Sequence, residues 1–176
     1  GGYYNLKEID YSRKNIRHFP GLNGITAIIE KDSTHMWIGT ATGLYLLEKV
    51  TGKYSYIQMP VGSYYIYSLY QASDGMLYIG TNNAGLLVYD TTKNTFRHYH
   101  RDNCALISNN IYTLLSDGKG NIFLSTEHGL STFYPAEETF HNWTKEQGLK
   151  SDHFNAASGT LRKNGNFIFG STDGAI

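Results

Sequence analysis

The chain has 176 residues, 15 basic and 15 acidic, with 40% hydrophobic and 14% aromatic content. Zero formal net charge removes the electrostatic footprint that nucleic acid or an anionic membrane surface requires, and no apolar run is long enough to span a bilayer. A single cysteine, Cys104, excludes an internal disulfide framework and every multi-cysteine metal site, while 19 glycines and 15 tyrosines against 3 prolines suit short strands and tight turns.

In chain order, residues 3–19 read as two strands, with IDYSRKNIRHF from Ile9 at their centre. A first four-strand unit covers 25–59: ITAIIE, the turn KDSTH, the strand opening at Trp37, GLYLLE from Gly43, and a strand holding Tyr54. A second covers 65–99, from YIYSLYQ through the strand at Tyr78 and GLLVYD from Gly85 to Phe96. A third covers 110–143, from NIYTLLS through SDGKG, the strand at Phe123 and Gly129 to Phe140. Residues 155–176 supply two more strands around a KNG turn and stop at GSTDGAI, where a third would begin. Every run is short and every break is Gly, Asn, Asp or Ser, which is the pattern of antiparallel meanders. Almost no helix is expected, because no longer segment holds a 3.6-residue apolar period.

The units are copies of one another. WIGTATGL, YIGTNNAGL, FLSTEHGL and IFGSTDGA align on Gly39, Gly80, Ser125 and Gly170, which lie 41, 45 and 45 residues apart. A repeated four-stranded meander of this length is the signature of a β-propeller blade. The fold class is therefore all-β, a propeller segment of three whole blades and two half blades. Trp37, Tyr78, Phe123 and Ile168 hold one equivalent position and are assigned to blade-to-blade packing. Gly43, Gly85, Gly129 and Gly174 are expected to take a positive φ at the turn between second and third strands. IDYSRKNIRHF aligns with YDTTKNTFRHY from Tyr89, so the first half blade supplies third and fourth strands and the last supplies first and second. Three arrangements fit: the halves close a four-bladed ring within one chain, two chains close an eight-bladed ring, or the chain is part of a longer propeller. The last is favoured, with self-association through the open ends or contact with the rest of a larger region.

The unit D-x-x-G-x-hydrophobic-aromatic-I-G-T-x-x-G-L, followed by a Y-D-x-x-T-x-x-F-like run, resembles the two-component regulator propeller repeat. DGKGNIFLSTEHGL from Asp117 carries its start and WIGTATGL its core, although Thr34 stands at the family glycine and Ala84 is an extra residue before Gly85. GLKSDHFNAASGTLRKNGNFIFGSTDGAI from Gly148 resembles the closing blade of such propellers. The resemblance implies the periplasmic sensor region of a Bacteroidetes-type hybrid two-component system, sensing an oligosaccharide and relaying the signal to a histidine kinase outside these residues.

Side-chain chemistry adds no catalytic centre. His98 and His100 share a strand face and could chelate, but no carboxylate cluster completes a site beyond Asp102. Ser151, Asp152 and His153 are sequence neighbours, whereas nucleophilic triads converge from separate segments. The glycines sit in hairpin turns, not at a strand-to-helix phosphate loop. Neither a metal nor any other cofactor is expected. Ligand recognition is placed on the face shared by the second-to-third strand turns and the blade-to-blade connections. The residues put forward are Tyr64, Tyr65, Asn83, Arg101, Asp102, His128, Asp152 and His153, on a face that also carries Asn23, Asn82, Asn103, Glu127 and Asp173. Amides, a guanidinium and tyrosines suit an oligosaccharide, through paired hydrogen bonds and stacking on apolar sugar faces. A non-catalytic sensor is the reading these features favour; a propeller-fold glycan hydrolase or lyase and a pure dimerisation scaffold are its alternatives.

Overall fold

The computed structural model describes residues 6–60, Gly62 and 64–175. Their regular structure is all-β apart from one 3-10 turn, Lys145–Gln147. Strands β1 (Leu6–Asp10) and β2 (Asn15–Phe19) form a two-stranded sheet. Three four-stranded antiparallel blades follow. Blade I holds β3 (Ile25–Glu30), β4 (His35–Thr40), β5 (Gly43–Glu48) and β6 (Tyr54–Ile57). Blade II holds β7 (Ile66–Gln71), β8 (Met76–Thr81), β9 (Leu86–Asp90) and β10 (Thr95–Tyr99). Blade III holds β11 (Ile111–Ser116), β12 (Ile122–Thr126), β13 (Gly129–Tyr134) and β14 (Thr139–Trp143). The last sheet holds β15 (Phe154–Leu161), β16 (Phe167–Ser171) and the two-residue β17 (Gly174–Ala175), which starts a third strand on the outer side of β16. Among the described residues, the two terminal sheets are not hydrogen-bonded to each other.

The first strands stand side by side at the centre, β3 against β7, β7 against β11 and β11 against β15, so the blades radiate from them as in a propeller. The core lies in the seams between blades. Trp37, Leu44 and Met59 of blade I pack with Leu69, Ile79, Leu87 and Tyr89 of blade II. Tyr78, Val88 and Tyr99 of blade II pack with Leu114, Leu124 and Phe133 of blade III. Because blade II is covered on both sides, β9 is buried along its whole length and alternation disappears there. The equivalent aromatics bridge these seams. The Trp37 indole donates to Gln71 Oε1 of the next blade at 2.9 Å, Tyr78 meets Phe133, and Phe123 packs on Phe167 with centroids 4.2 Å apart. Ile168, in the last sheet, is half-buried.

The recurring Thr-to-Gly segment has a hydrogen-bonding reason. Thr40, Thr81, Thr126 and Ser171 each donate a hydroxyl to the carbonyl of the glycine that opens the next strand, at 2.7–2.9 Å. The same oxygens accept from backbone N–H groups within the turn, so the hydroxyl satisfies both sides of the reversal. Gly43, Gly85, Gly129 and Gly174 all take positive φ, between 78° and 141°.

Each first strand also carries a bulge near its start. The ladder slips between Ile25 and Ala27, Ile66 and Ser68, Ile111 and Thr113, and more widely between Phe154 and Gly159. The unpaired residues are Thr26, Tyr67, Tyr112 and the stretch 155–158. A bulge releases one side chain from the pleat and re-aims it, and Thr26, Tyr67 and Tyr112 do so at equivalent positions of β3, β7 and β11.

Candidate functional site

The bulges of β7 and β11 build an aromatic cluster on the face where blade-to-blade connections and second-to-third strand turns meet. Tyr67 lies between Tyr65, at a centroid distance of 4.9 Å, and Tyr112, at 5.2 Å and edge-on. Burial raises the Tyr67 and Tyr112 hydroxyls above the ordinary phenol range, and the Glu127 carboxylate nearby adds to both shifts. Both rings therefore stay neutral hydrogen-bonding groups throughout the physiological range.

Glu127 is tied to its surroundings from three directions. Its Oε2 accepts from Asn110 Nδ2 at 2.6 Å, while His128 Nε2 stands 3.9 Å from the same oxygen. Its backbone carbonyl lies 3.1 Å from His153 Nδ1, and the His128 and His153 rings are 6.4 Å apart. Asn110 Oδ1 in turn accepts from Asn83 N at 2.8 Å. The turn of blade II, the turn of blade III and the connection into the last sheet are thus joined by one polar network. It sets a tilted and edge-on group of phenol rings beside one carboxylate, two imidazoles and two amides.

Of the residues put forward from sequence, Tyr65, Asn83, His128 and His153 belong to this network. Tyr64 is half-buried beside it in the chain. Arg101 and Asp102 stand exposed on the 100–110 connection, where Arg101 N donates to Asn109 Oδ1 and Asp102 approaches His100 at 3.4 Å. Neither side chain hydrogen-bonds to the cluster among the described residues. Asp152 accepts from Lys145 N at 2.7 Å and so anchors the 3-10 turn. Sequence reading passed over Tyr67, Tyr112 and Asn110. The available signal was the alignment of ITAII, IYSLY and IYTLL, in which the residue after the first isoleucine is the bulged one.

Other groups singled out from sequence have local partners. His98 Nε2 lies 2.6 Å from the Ala84 carbonyl, and Cys104 Sγ lies 3.3 Å from the His100 carbonyl with burial pushing the thiol up. Among the described residues no three His, Cys, Asp or Glu side chains group as metal ligands, and no helix is long and apolar enough to cross a membrane.

Residues 60–83, covering the entry into blade II and its first two strands, match the family "Two component regulator propeller". Among curated proteins none matches the sequence. Solved structures share the fold. The extracellular domain assigned to hybrid two component system BT3049 of B. thetaiotaomicron superposes with a TM-score of 0.74 at 22% identity, over 87% of this chain and 21% of that one. That assigned to BT4673 of the same organism gives 0.68 at 19% identity, over 90% and 22%. Virginiamycin B lyase from Staphylococcus aureus gives 0.67 at 14% identity, over 96% and 52%. The chain spans about a fifth of the length of the two extracellular domains. It is a β-propeller segment in which residues 60–83 match the two-component regulator propeller repeat.

Proposed function

We propose that this segment is a non-catalytic part of the periplasmic sensor region of a two-component regulator, and that it takes an oligosaccharide at the Tyr65–Tyr67–Tyr112 cluster. The observation that carries this reading is the cluster of three tyrosines, two of them at bulges, beside the Glu127 network. Tyrosine rings offer apolar faces to sugar C–H groups, while amide, imidazole and carboxylate groups at the rim suit hydroxyls. The histidine kinase that would receive the signal lies outside these residues. Association through the two terminal sheets, with a second copy or with the rest of the sensor region, belongs to the same reading, since their open edges invite strand pairing.

The likeness to a lyase of the same fold favours a second reading, catalysis, with His128 and His153 as candidate proton carriers. Glu127 is the one carboxylate of the network, and hydrolysis of a glycosidic bond ordinarily needs a facing pair. A thermal-shift screen of oligosaccharides against the complete extracytoplasmic region tests both readings. The expected outcome is a saccharide that stabilises the protein, is recovered unaltered, and binds roughly tenfold more weakly to Tyr67→Ala or Tyr65→Ala. A saccharide returned cleaved moves the assignment to catalysis. Binding indifferent to both tyrosine changes removes the site.

A further inference from the structure

The two complete seams follow one rule. Each blade turns two large side chains toward the next, one from its second strand and one from its fourth: Trp37 and Ile57 in blade I, Tyr78 and Tyr99 in blade II. The next blade answers with one residue from its third strand and one from its fourth. Tyr89 and Phe96 meet the first pair, with Tyr89 edge-on to Trp37 at 6.0 Å. Phe133 and Phe140 meet the second, and Tyr99 lies between them at 4.9 and 5.7 Å. Both answering pairs are cross-strand partners within their own sheet. Covered in this way, Tyr89 and Phe133 are only 5% and 1% exposed.

The two ends of the molecule carry these same two surfaces uncovered. Blade III holds Phe123 and Trp143 at the positions of Tyr78 and Tyr99. Phe19, Tyr99 and Trp143 each pair with the leucine near the start of the neighbouring third strand, yet Trp143 is 41% exposed where Phe19 and Tyr99 are 4% and 8%. Ile9 and Ile16, cross-strand partners in the first sheet, stand where Tyr89 and Phe96 stand in blade II, and they are 67% and 53% exposed. The strand edges are complementary too. β17 covers only Gly170 and Ser171 of β16, which leaves the outer edge of 167–169 without a ladder partner among the described residues, and β1 is paired on one side alone. The last sheet thus supplies a first and a second strand, and the first sheet a third and a fourth.

We propose that the β1–β2 hairpin of a second copy docks on the outer edge of β16 and against blade III, completing the blade that the last sheet begins. Complete blades fix the register. Phe133 pairs with Ile122 and Thr132 with Phe123, so Ile9 of the second copy lies opposite Phe167 and its Glu8 opposite Ile168. Ile9 and Ile16 then cover Phe123 and Trp143 as Phe133 and Phe140 cover Tyr78 and Tyr99. The exchange is reciprocal about a two-fold axis. Three whole blades and one completed blade from each copy make a ring of eight, within the range of propellers, with neither half blade left open. A second copy is the occupant because within one chain the two terminal sheets lie at opposite ends of the row of blades and share no hydrogen bond among the described residues. The inference rests on the association proposed for the terminal sheets and adds its partner and register; the tyrosine cluster takes no part in it.

Light scattering of the chain over a concentration series reads the association, and cysteine pairs read the register. The cysteine variants all carry Cys104→Ser. A Glu8→Cys chain is mixed with an Ile168→Cys chain under oxidised glutathione, and the offset control mixes it with a Phe169→Cys chain, whose side chain lies on the other face of the strand. Because closure is bimolecular, the dilute chain keeps its terminal sheets open. At high concentration the expected species has twice the mass of one chain. The expected yield of disulfide-linked dimer is at least about fivefold higher for Glu8→Cys with Ile168→Cys than for the offset pair. The double variant Ile9→Lys/Ile16→Lys is expected to stay monomeric with the circular dichroism of the unaltered chain. A monomer at every concentration overturns the proposal, as does equal cross-linking of the two pairs. A dimer that survives Ile9→Lys/Ile16→Lys also overturns it and leaves association through another surface standing. Saccharide binding that depends on Tyr65 and Tyr67 is read separately from all of these, so either proposal can fail without the other.

Discussion

Asp90 accepts three hydrogen bonds at the turn between β9 and β10, from Thr92 Oγ1 at 2.7 Å, Lys93 N at 3.0 Å and Thr92 N at 3.1 Å. Asp10, at the equivalent place in the first sheet, does the same with Ser12 and Arg13. Donors converging on an ionised carboxylate favour the charged form, and the Thr92 hydroxyl leads in holding the Asp90 carboxyl below the usual range. Asp32 is lowered in the same way, first by Thr34, and Asp10 first by Ser12. Because these folded-state values lie below the unfolded ones, the stability they contribute is present above about pH 4 and is lost as pH falls through the folded values. Urea midpoints are therefore expected to drop between about pH 6 and pH 3, and the drop is expected to be smaller in Asp90→Asn. Equal declines in the variant and the unaltered chain would show that acid acts elsewhere. These turns were legible from sequence, because an aspartate followed by hydroxyl residues competes locally for backbone N–H groups whatever surrounds it.

Among the turns, Gly85 and Gly118 separate two reasons for glycine. Both take positive φ, 78° and 74°. At Gly118 the space around is open, whereas at Gly85 a Cβ would overlap the carbonyl of Tyr99 on β10. The left-handed backbone alone costs a non-glycine residue about 1–2 kcal/mol, and forced overlap with backbone adds a comparable amount. Gly118→Ala is expected to lose about 1–2 kcal/mol and Gly85→Ala about 2–5 kcal/mol in urea unfolding. Equal losses would mean that β10 yields easily. The sequence marked both positions as turns, but the difference between them comes from a strand fourteen residues away in the chain and adjacent in the sheet. The bulges show the same limit. IYSLY and IYTLL read as plain alternating strands, and only the pairing with β8 and β12 reveals that Tyr67 and Tyr112 are released from the ladder.

At the scale of the whole molecule, each blade is stabilised by its neighbours, so protection should follow the number of covered faces. Blade II is covered on both sides, and β8 and β9 are almost wholly buried. β1 and β2 are exposed over most of their length, with Ile9 67% and Ile16 53% accessible. Nearest-neighbour stabilisation of this kind lets end units open without the centre. In the dilute, single chain, hydrogen exchange is expected to be slowest in β8, β9 and β12 and fastest in β1, β2 and β17. Uniform protection across all sheets would instead indicate that the terminal sheets are covered in solution, by each other or by a second copy.

The amino-acid sequence determined the repeat, its period, the strand order within each blade and the turn chemistry. All of these rest on alternation and on hydrogen bonds between residues a few positions apart. It also placed Tyr65, Asn83, His128 and His153 on one face, because equivalent positions in a radial repeat must share a face. Only the tertiary structure decided which of them meet. The cluster joins residues from the entry to blade II, the start of β11 and two later turns, and its central rings owe their direction to bulges that exist only once strands pair. The cleft between blades II and III, lined by Tyr78 on one blade and by Gly118 and Gly120 on the next, is further still from the sequence. Packing volume across a seam is a property of two surfaces in contact, and neither surface records it alone.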